Sequence, residues 1–174
     1  MNHLNEAVEK DEQGNLIEAI DLYERCLSCN EAAPLDAYLN LVLIYWQMTD
    51  FGFNASRNLD PELVRKAGER YKFLLKGAAE AYPGNAEVRF WQLYCDHVST
   101  GTGDIENECR TLIGNHSSNN TPALYLYAKS GGSLYKSEAE DLALSCKKCQ
   151  TFKNRYILSV LQSNAINRAH GTGL

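Results

Sequence analysis

Apolar residues recur at helical spacing along most of this chain, most clearly between residues 16 and 27. The apolar positions there are 16, 19, 20, 23, 26 and 27, which fall on one face of an α-helix. The small residues Ala19 and Cys26 lie two turns apart on that face, with Tyr23 between them. The pattern predicts a buried helix face where a neighbouring helix approaches closely.

The small or apolar position of that helix recurs at Ala67, Ile105 and Ala139, at successive intervals of 48, 38 and 34 residues. Each of these helices follows another helical segment that carries aromatic residues. No segment has the alternating pattern of a convincing β-strand. The predicted helix pairs cover residues 2–30, 35–82, 86–115 and 121–150, and a helix with a polar back, 152–169, caps the stack.

Residues typical of helix ends stand at several boundaries of these pairs. Gly14 lies where the chain must turn sharply, and glycine adopts positive φ without a steric cost. Asp60 is a predicted N-cap followed by proline at the first helical position. The dipeptide Thr121-Pro122 predicts the same arrangement, and Ser137-x-x-Glu140 has the form of a capping box.

One stretch of the chain points to a known family of helical repeats. The segment 13–27, with the sequence QGNLIEAIDLYERCL, resembles the turn and second helix of a tetratricopeptide repeat. The interval of 34 residues equals the period of that family, and the longer intervals imply insertions. The resemblance implies an all-α fold, namely a right-handed α–α superhelix of about four helix pairs with a C-terminal capping helix. This stack would form a single domain over residues 1–174.

The resemblance also implies how such a protein works. In this family, the first helices of the pairs line a concave groove that holds a peptide or another protein. Some members bind a C-terminal carboxylate with Lys, Asn and Arg side chains, but only Asn40 falls at such a position here. We therefore predict a mixed, largely apolar groove. Its predicted residues are Asn40, Leu43, Gln47, Arg89, Phe90 and His97.

Alternatives remain open for two parts of this surface. Some apolar residues of the first helices, such as Leu39 and Leu93, would instead pack helix on helix. The insertion at 48–59 is long for a turn within such a pair, so it needs a reason. Its Phe51 and Phe53 either anchor a partner or fold back over the end of the helix that starts at Asp60.

Composition narrows the classes of partner. The 174 residues carry a net charge of −5, which argues against nucleic acid as the main partner. The sequence begins without a secretory signal and has no apolar run near the roughly 20 residues that a membrane span needs. We therefore predict a cytoplasmic protein, whose six cysteines are free thiols.

The cysteines form two Cys-x-x-Cys pairs, Cys26/Cys29 and Cys146/Cys149, which raise the possibility of a zinc site. Both pairs fall inside predicted helices, and Cys26 and Cys146 occupy the small, buried position of their repeats, where cysteine acts as a small hydrophobe. The four histidines are scattered, and the chain has neither a nucleophile elbow nor a phosphate-binding loop. We predict no metal, no cofactor and no enzymatic activity.

Two functions follow from these observations. The first is an adaptor or co-chaperone whose concave groove binds a peptide or protein segment. The alternative is a small acidic inhibitor, for instance an immunity-type protein that neutralises a basic partner by surface contact.

Overall fold

The structure, a computed structural model, describes residues 3–29, 33–115 and 119–170, with 115 and 164–170 described by their backbone alone. Across these ranges all regular structure is helical, which confirms the predicted all-α class. The ten helices found there are α1 (His3–Glu12), α2 (Leu16–Cys29), α3 (Leu35–Met48), α4 (Phe51–Ser56), α5 (Pro61–Ala81), α6 (Ala86–Thr100), α7 (Glu106–Asn115), α8 (Ala123–Lys129), α9 (Lys136–Cys146) and α10 (Phe152–His170). None of them combines the length and the apolar character that crossing a membrane requires.

The chain divides into two compact units. Unit 1 consists of Met1–Gly84 and Thr151–Lys153, and so contains α1 to α5 with the first residues of α10. Unit 2 consists of Asn85–Gln150 and Asn154–Leu174, and so contains α6 to α9 with the remainder of α10. The arrangement of all helix pairs in one superhelical stack stays a prediction.

In unit 1, α1 and α2 pack against each other across a short turn. Gly14 in this turn has a φ of +78°, as the sequence predicted. On α2, Ala19, Tyr23 and Cys26 are all buried. The predicted burial of this face is therefore confirmed.

The centre of unit 1 is α3, which packs against α2, α4 and α5. Leu39, Leu41 and Leu43 are fully buried although they point in different directions around the helix axis. A helix that is apolar on all sides belongs in the interior of a protein. This helix therefore forms the core of unit 1.

A buried carboxylate links α1 to the beginning of α10 within unit 1. Asp11 is fully buried, and its Oδ2 accepts a hydrogen bond of 3.2 Å from the Tyr23 hydroxyl. Its Oδ1 accepts a second bond, of 2.8 Å, from the backbone N–H of Phe152, the first residue of α10. Helix N-termini carry unsatisfied N–H groups and a positive partial charge. Asp11 thus caps α10 although the two residues are 141 positions apart.

The predicted start of the long helix α5 is confirmed. Pro61 is its first residue, and the Asp60 carboxylate accepts hydrogen bonds from the N–H groups of Glu62 and Leu63. Proline costs nothing at this position because the missing N–H would have no partner inside the helix.

Two other predicted helix starts were wrong. Helix α8 begins at Ala123, after Pro122, which stands at the N-cap with no side-chain cap. Helix α9 begins one residue before Ser137, so this serine is a helical residue and forms no capping box. Its N-cap is Tyr135, in the left-handed conformation with a φ of +57°. Motif spacing alone did not reveal this backbone geometry.

Unit 2 is built around the aromatic side chains of α6. The rings of Phe90 and Trp91 have centroids 5.0 Å apart, and those of Trp91 and Tyr94 are 5.6 Å apart. The hydroxyls of Tyr94 and Tyr156 lie 2.9 Å apart, which connects α6 to α10. Elsewhere in this unit, α7 packs on α6 and α8, and α8 packs on α9.

Candidate functional site

The eight residues predicted to bind a partner are divided between the two units. Five belong to unit 1 and three to unit 2. That the two sets line one concave groove stays a prediction. The unit 1 set is Asn40, Leu43, Gln47, Phe51 and Phe53, and the unit 2 set is Arg89, Phe90 and His97.

Three of the eight lie in the protein interior. Leu43 and Phe90 have no exposed surface, and Asn40 is 2% exposed. The Asn40 side chain donates a hydrogen bond of 2.9 Å to the backbone oxygen of Asp36, one turn earlier on α3. In this structure these three side chains offer no surface to a partner, because α3 is the central helix of unit 1 and Phe90 belongs to the aromatic cluster of unit 2.

The other two residues of the unit 2 set are accessible. Arg89 is exposed and His97 is half-buried, two turns further along α6. The imidazole of His97 lies edge-on to the Tyr125 ring, with centroids 5.3 Å apart. Its Nδ1 is 3.3 Å from the backbone oxygen of Thr102. These contacts place the histidine beside the loop that joins α6 to α7.

That loop is held by an ion-pair network which the sequence did not reveal. The ammonium of Lys129 lies 2.5 Å from Oδ2 of Asp104 and 2.9 Å from Oε2 of Glu106. The Tyr125 hydroxyl donates a hydrogen bond of 3.2 Å to the other oxygen of Asp104. Hydrogen bonds from Lys129 lower the pKa of both carboxyl groups. The network keeps these groups ionised and joins the loop to α8.

The insertion after α3 contains the short helix α4, whose two phenylalanines have different surroundings. The Asp50 carboxylate caps this helix by accepting a hydrogen bond of 2.8 Å from the Phe53 N–H. The Phe53 ring packs edge-on against Phe152, with centroids 5.7 Å apart, and the Arg57 guanidinium lies 4.8 Å from its centroid. Phe51, in contrast, is 83% exposed. Thus Phe53 holds α4 on unit 1, and Phe51 projects from it.

Unit 1 contains a further polar cluster, around Glu24, which the sequence did not predict. The Arg70 guanidinium donates to both carboxylate oxygens of Glu24, in one case over 2.8 Å to Oε1. The Tyr45 hydroxyl donates a bond of 3.1 Å to Oε1, so α2, α3 and α5 meet at this carboxylate. Burial raises the pKa of Tyr45, as does the Glu24 charge. Because Glu24 and Arg70 are 46 residues apart, no local pattern could have paired them.

The cysteines are free thiols, and most of them lie in the core. Cys26 and Cys146 are buried at the small-residue positions of their helices, and the exposed thiol is that of Cys29. Burial raises the pKa of the Cys95 thiol, and raises that of Cys109 to about 12. Among the residues that the structure describes, no three His, Cys, Asp or Glu side chains come together as a metal-binding group.

Comparison of the chain with protein-family models, with curated protein sequences and with solved structures gives no match. The resemblance to tetratricopeptide repeats therefore rests on the segment 13–27 and on the repeat interval, and it stays a prediction.

Proposed function

We propose that this chain is a non-enzymatic protein-binding module that holds a segment of another protein, and that Phe51 is an anchor of this contact. The observation that carries the proposal is an 83% exposed phenylalanine on a helix that the rest of unit 1 keeps in place. The helical-repeat character of the segment 13–27 supports the same class of function.

The fixed position of α4 favours binding, because the backbone that carries Phe51 has little conformational freedom left to lose. Asp50 caps α4, and Phe53 packs against Phe152. A segment of backbone that is already held in place costs less entropy when a partner binds to it. Aromatic residues, phenylalanine included, and arginine are also enriched in the buried centre of protein interfaces, and Arg57 lies on the same segment.

The contribution expected from Phe51 follows from its exposure. Full burial of a phenylalanine side chain stabilises a complex by about 1.5–3 kcal/mol. Each 1.4 kcal/mol changes the dissociation constant tenfold, so Phe51→Ala should weaken binding by roughly 10- to 150-fold. The folded state should keep its stability, because substitutions at exposed positions change it by about 0.5 kcal/mol at most.

The test is photocrosslinking in cells of the source organism. The photoreactive analogue p-benzoylphenylalanine replaces Phe51 in one variant and Phe73 in a control variant. Phe73 is a matched position because it is also a phenylalanine of unit 1 and is 65% exposed. We expect one defined crosslinked protein from position 51 only, and a titration of that protein with Phe51→Ala and Phe73→Ala then measures the contribution. Full affinity in Phe51→Ala would remove Phe51 from the interface.

The acidic-inhibitor function is the second candidate, and the charge of the α1–α2 hairpin favours it. Residues 3–29 contain seven Asp or Glu and two Lys or Arg, a net charge of −5. Five of the carboxylates are exposed on this hairpin, and they are Glu6, Glu9, Glu12, Glu18 and Asp21. If a basic partner docks there, Glu9→Lys with Asp21→Lys should slow its association, with an effect that declines as salt rises. The same pair of changes should leave a contact at Phe51 intact.

A further inference from the structure

An open groove in unit 2 lies between α8, α9 and α10 and has a volume of about 400 Å³. Its apolar floor is formed by Tyr127, Ala139, Ala143, Leu158 and Leu161. The two alanines lie on consecutive turns of α9, and their small side chains leave space that larger residues would fill. The volume is within the range of sites that enclose a ligand or a partner's side chains.

Two lysines stand on the rim of this groove at opposite ends of α9. Lys136 and Lys147 are eleven residues apart, which is three helical turns, so they share one face at a separation of roughly 16 Å. The Lys136 ammonium is 3.6 Å from a carboxylate oxygen of Glu140, an exposed pair of the kind that contributes little. Among the residues that the structure describes, Lys147 has no ion-pair partner. Its charge remains available to an occupant.

The surroundings of the groove differ in charge from the rest of the protein. The groove lining has two lysines and one carboxylate, that of Glu140. The exposed and half-buried side chains of residues 136–163 in unit 2 include four Lys or Arg and three Asp or Glu, a net charge of +1, whereas the whole chain has −5. A surface of this sign attracts acidic partners and repels basic ones. The occupant that fits is therefore negatively charged at its ends and apolar in its middle.

We propose that this groove binds an acidic amphipathic segment of another protein. Its apolar side chains enter between α9 and α10, and its carboxylates lie beside Lys136 and Lys147. A fatty acid matches the apolar floor but carries a single carboxylate, which reaches one lysine. An extended peptide spans roughly 16 Å with about five residues, so it brings carboxylates to both lysines. This site belongs to unit 2 and does not depend on the contact proposed for Phe51.

The probe is a phage-displayed library of random 12-residue peptides, selected on the full chain. We expect enrichment of peptides in which Leu, Ile, Phe or Trp is flanked by Asp or Glu on both sides. Fluorescence anisotropy then measures the affinity of an enriched peptide for two charge-reversal variants. Lys147→Glu should weaken it about five-fold or more at low salt. Lys148→Glu is the matched control, since this exposed neighbour does not line the groove, and should change it less than about two-fold.

A third variant, Ala143→Trp, fills the groove and should reduce affinity about ten-fold or more. Circular dichroism shows whether Ala143→Trp keeps its helices. If it does not, the test rests on Lys147→Glu, which changes an exposed residue. Equal effects of Lys147→Glu and Lys148→Glu would overturn the proposal, because the attraction would then be unspecific. So would enriched peptides without acidic residues.

The remaining occupants are further outcomes of the same experiment that contradict the proposal. Dodecanoate binding that Lys147→Glu weakens, without any enriched peptide, would assign the groove to a lipid. A dimer in sedimentation equilibrium that Lys147→Glu dissociates would assign it to a second copy of the chain.

Discussion

Replacement of the buried Asp11 tests the contact that connects α1 to the first turn of α10. Both carboxylate oxygens accept hydrogen bonds, one from the Tyr23 hydroxyl and one from the Phe152 N–H. In Asp11→Asn, the side chain keeps its size but one oxygen becomes an NH₂ group. An NH₂ group cannot accept a bond, so the Tyr23 hydroxyl must turn from donor to acceptor while the remaining oxygen keeps the Phe152 N–H, and both bonds become neutral ones. The negative charge at the N-terminus of α10 is lost as well.

The magnitude follows from these two losses. A hydrogen bond to a charged group contributes about 1.5–3 kcal/mol, and a charge at a helix terminus about 0.3–1 kcal/mol. A neutral hydrogen bond contributes about 0.5–1.5 kcal/mol, so we expect Asp11→Asn to lower the free energy of unfolding by about 1–3 kcal/mol. Asp11→Ala loses both hydrogen bonds and should cost about 3–6 kcal/mol. Either value is a large part of the stability of a typical domain, about 5–15 kcal/mol.

Urea unfolding followed by circular dichroism measures these values, with hydrogen exchange at the Phe152 amide as the local readout. Glu6→Gln is the matched control, because it makes the same chemical change at an exposed position of α1. It should stay within about 0.5 kcal/mol of the parent protein. If Asp11→Asn is as stable as Glu6→Gln and exchange at Phe152 is unchanged, the cap assigned to Asp11 is refuted.

Three further predictions concern packing and the thiols. Ala19 is fully buried on α2, which packs against α1, so Ala19→Leu should overpack the hairpin and lower the free energy of unfolding by about 1–3 kcal/mol; an unchanged urea midpoint would contradict this prediction. In the native protein at pH 8, a thiol reagent should modify Cys29 rapidly, whereas Cys95 and Cys109 should react only after unfolding, as peptide mapping would show. Burial raises the pKa of the Cys109 thiol to about 12, above the value near 9 in the unfolded chain, so the free energy of unfolding should fall as the pH rises above about 9. Urea unfolding at pH 8 and at pH 10.5 should therefore show a smaller loss of stability for Cys109→Ala than for the parent protein.

Helix positions were accessible from the sequence because the signals that set them are local. The buried stripe of α2 follows directly from apolar spacing, and the Asp60-Pro61 dipeptide marks the start of α5. Both depend on residues within one or two turns of each other. The incorrect prediction of a capping box at Ser137 also comes from a local signal. The backbone turns into α9 through the left-handed residue Tyr135, and the spacing of Ser137 and Glu140 contains no information on that conformation.

The exposed face of α3 was harder to predict, because the helix is apolar almost all round. Nine of its 14 residues are buried, so no single stripe distinguishes the core side from a groove side. Alignment to a repeat pattern placed Asn40 and Leu43 on a binding surface, yet both lie in the core. The half-buried face instead carries Tyr38 and Tyr45, seven residues apart. Which side stays open depends on where α2 and α5 pack, and apolar periodicity does not encode that choice.

Asp11 shows that a long-range contact can nevertheless be indicated by the local pattern of apolar residues. The apolar stripe of α1 begins with Leu4, Ala7 and Val8, and the next position on it, at spacing i+7 from Leu4, is Asp11. A carboxylate at a stripe position is buried at a high cost unless donors meet it there. Its position in the pattern therefore already indicates buried hydrogen-bond donors. Their identity does not follow from the pattern, because the Phe152 N–H arrives from 141 residues away and only the fold brings it there.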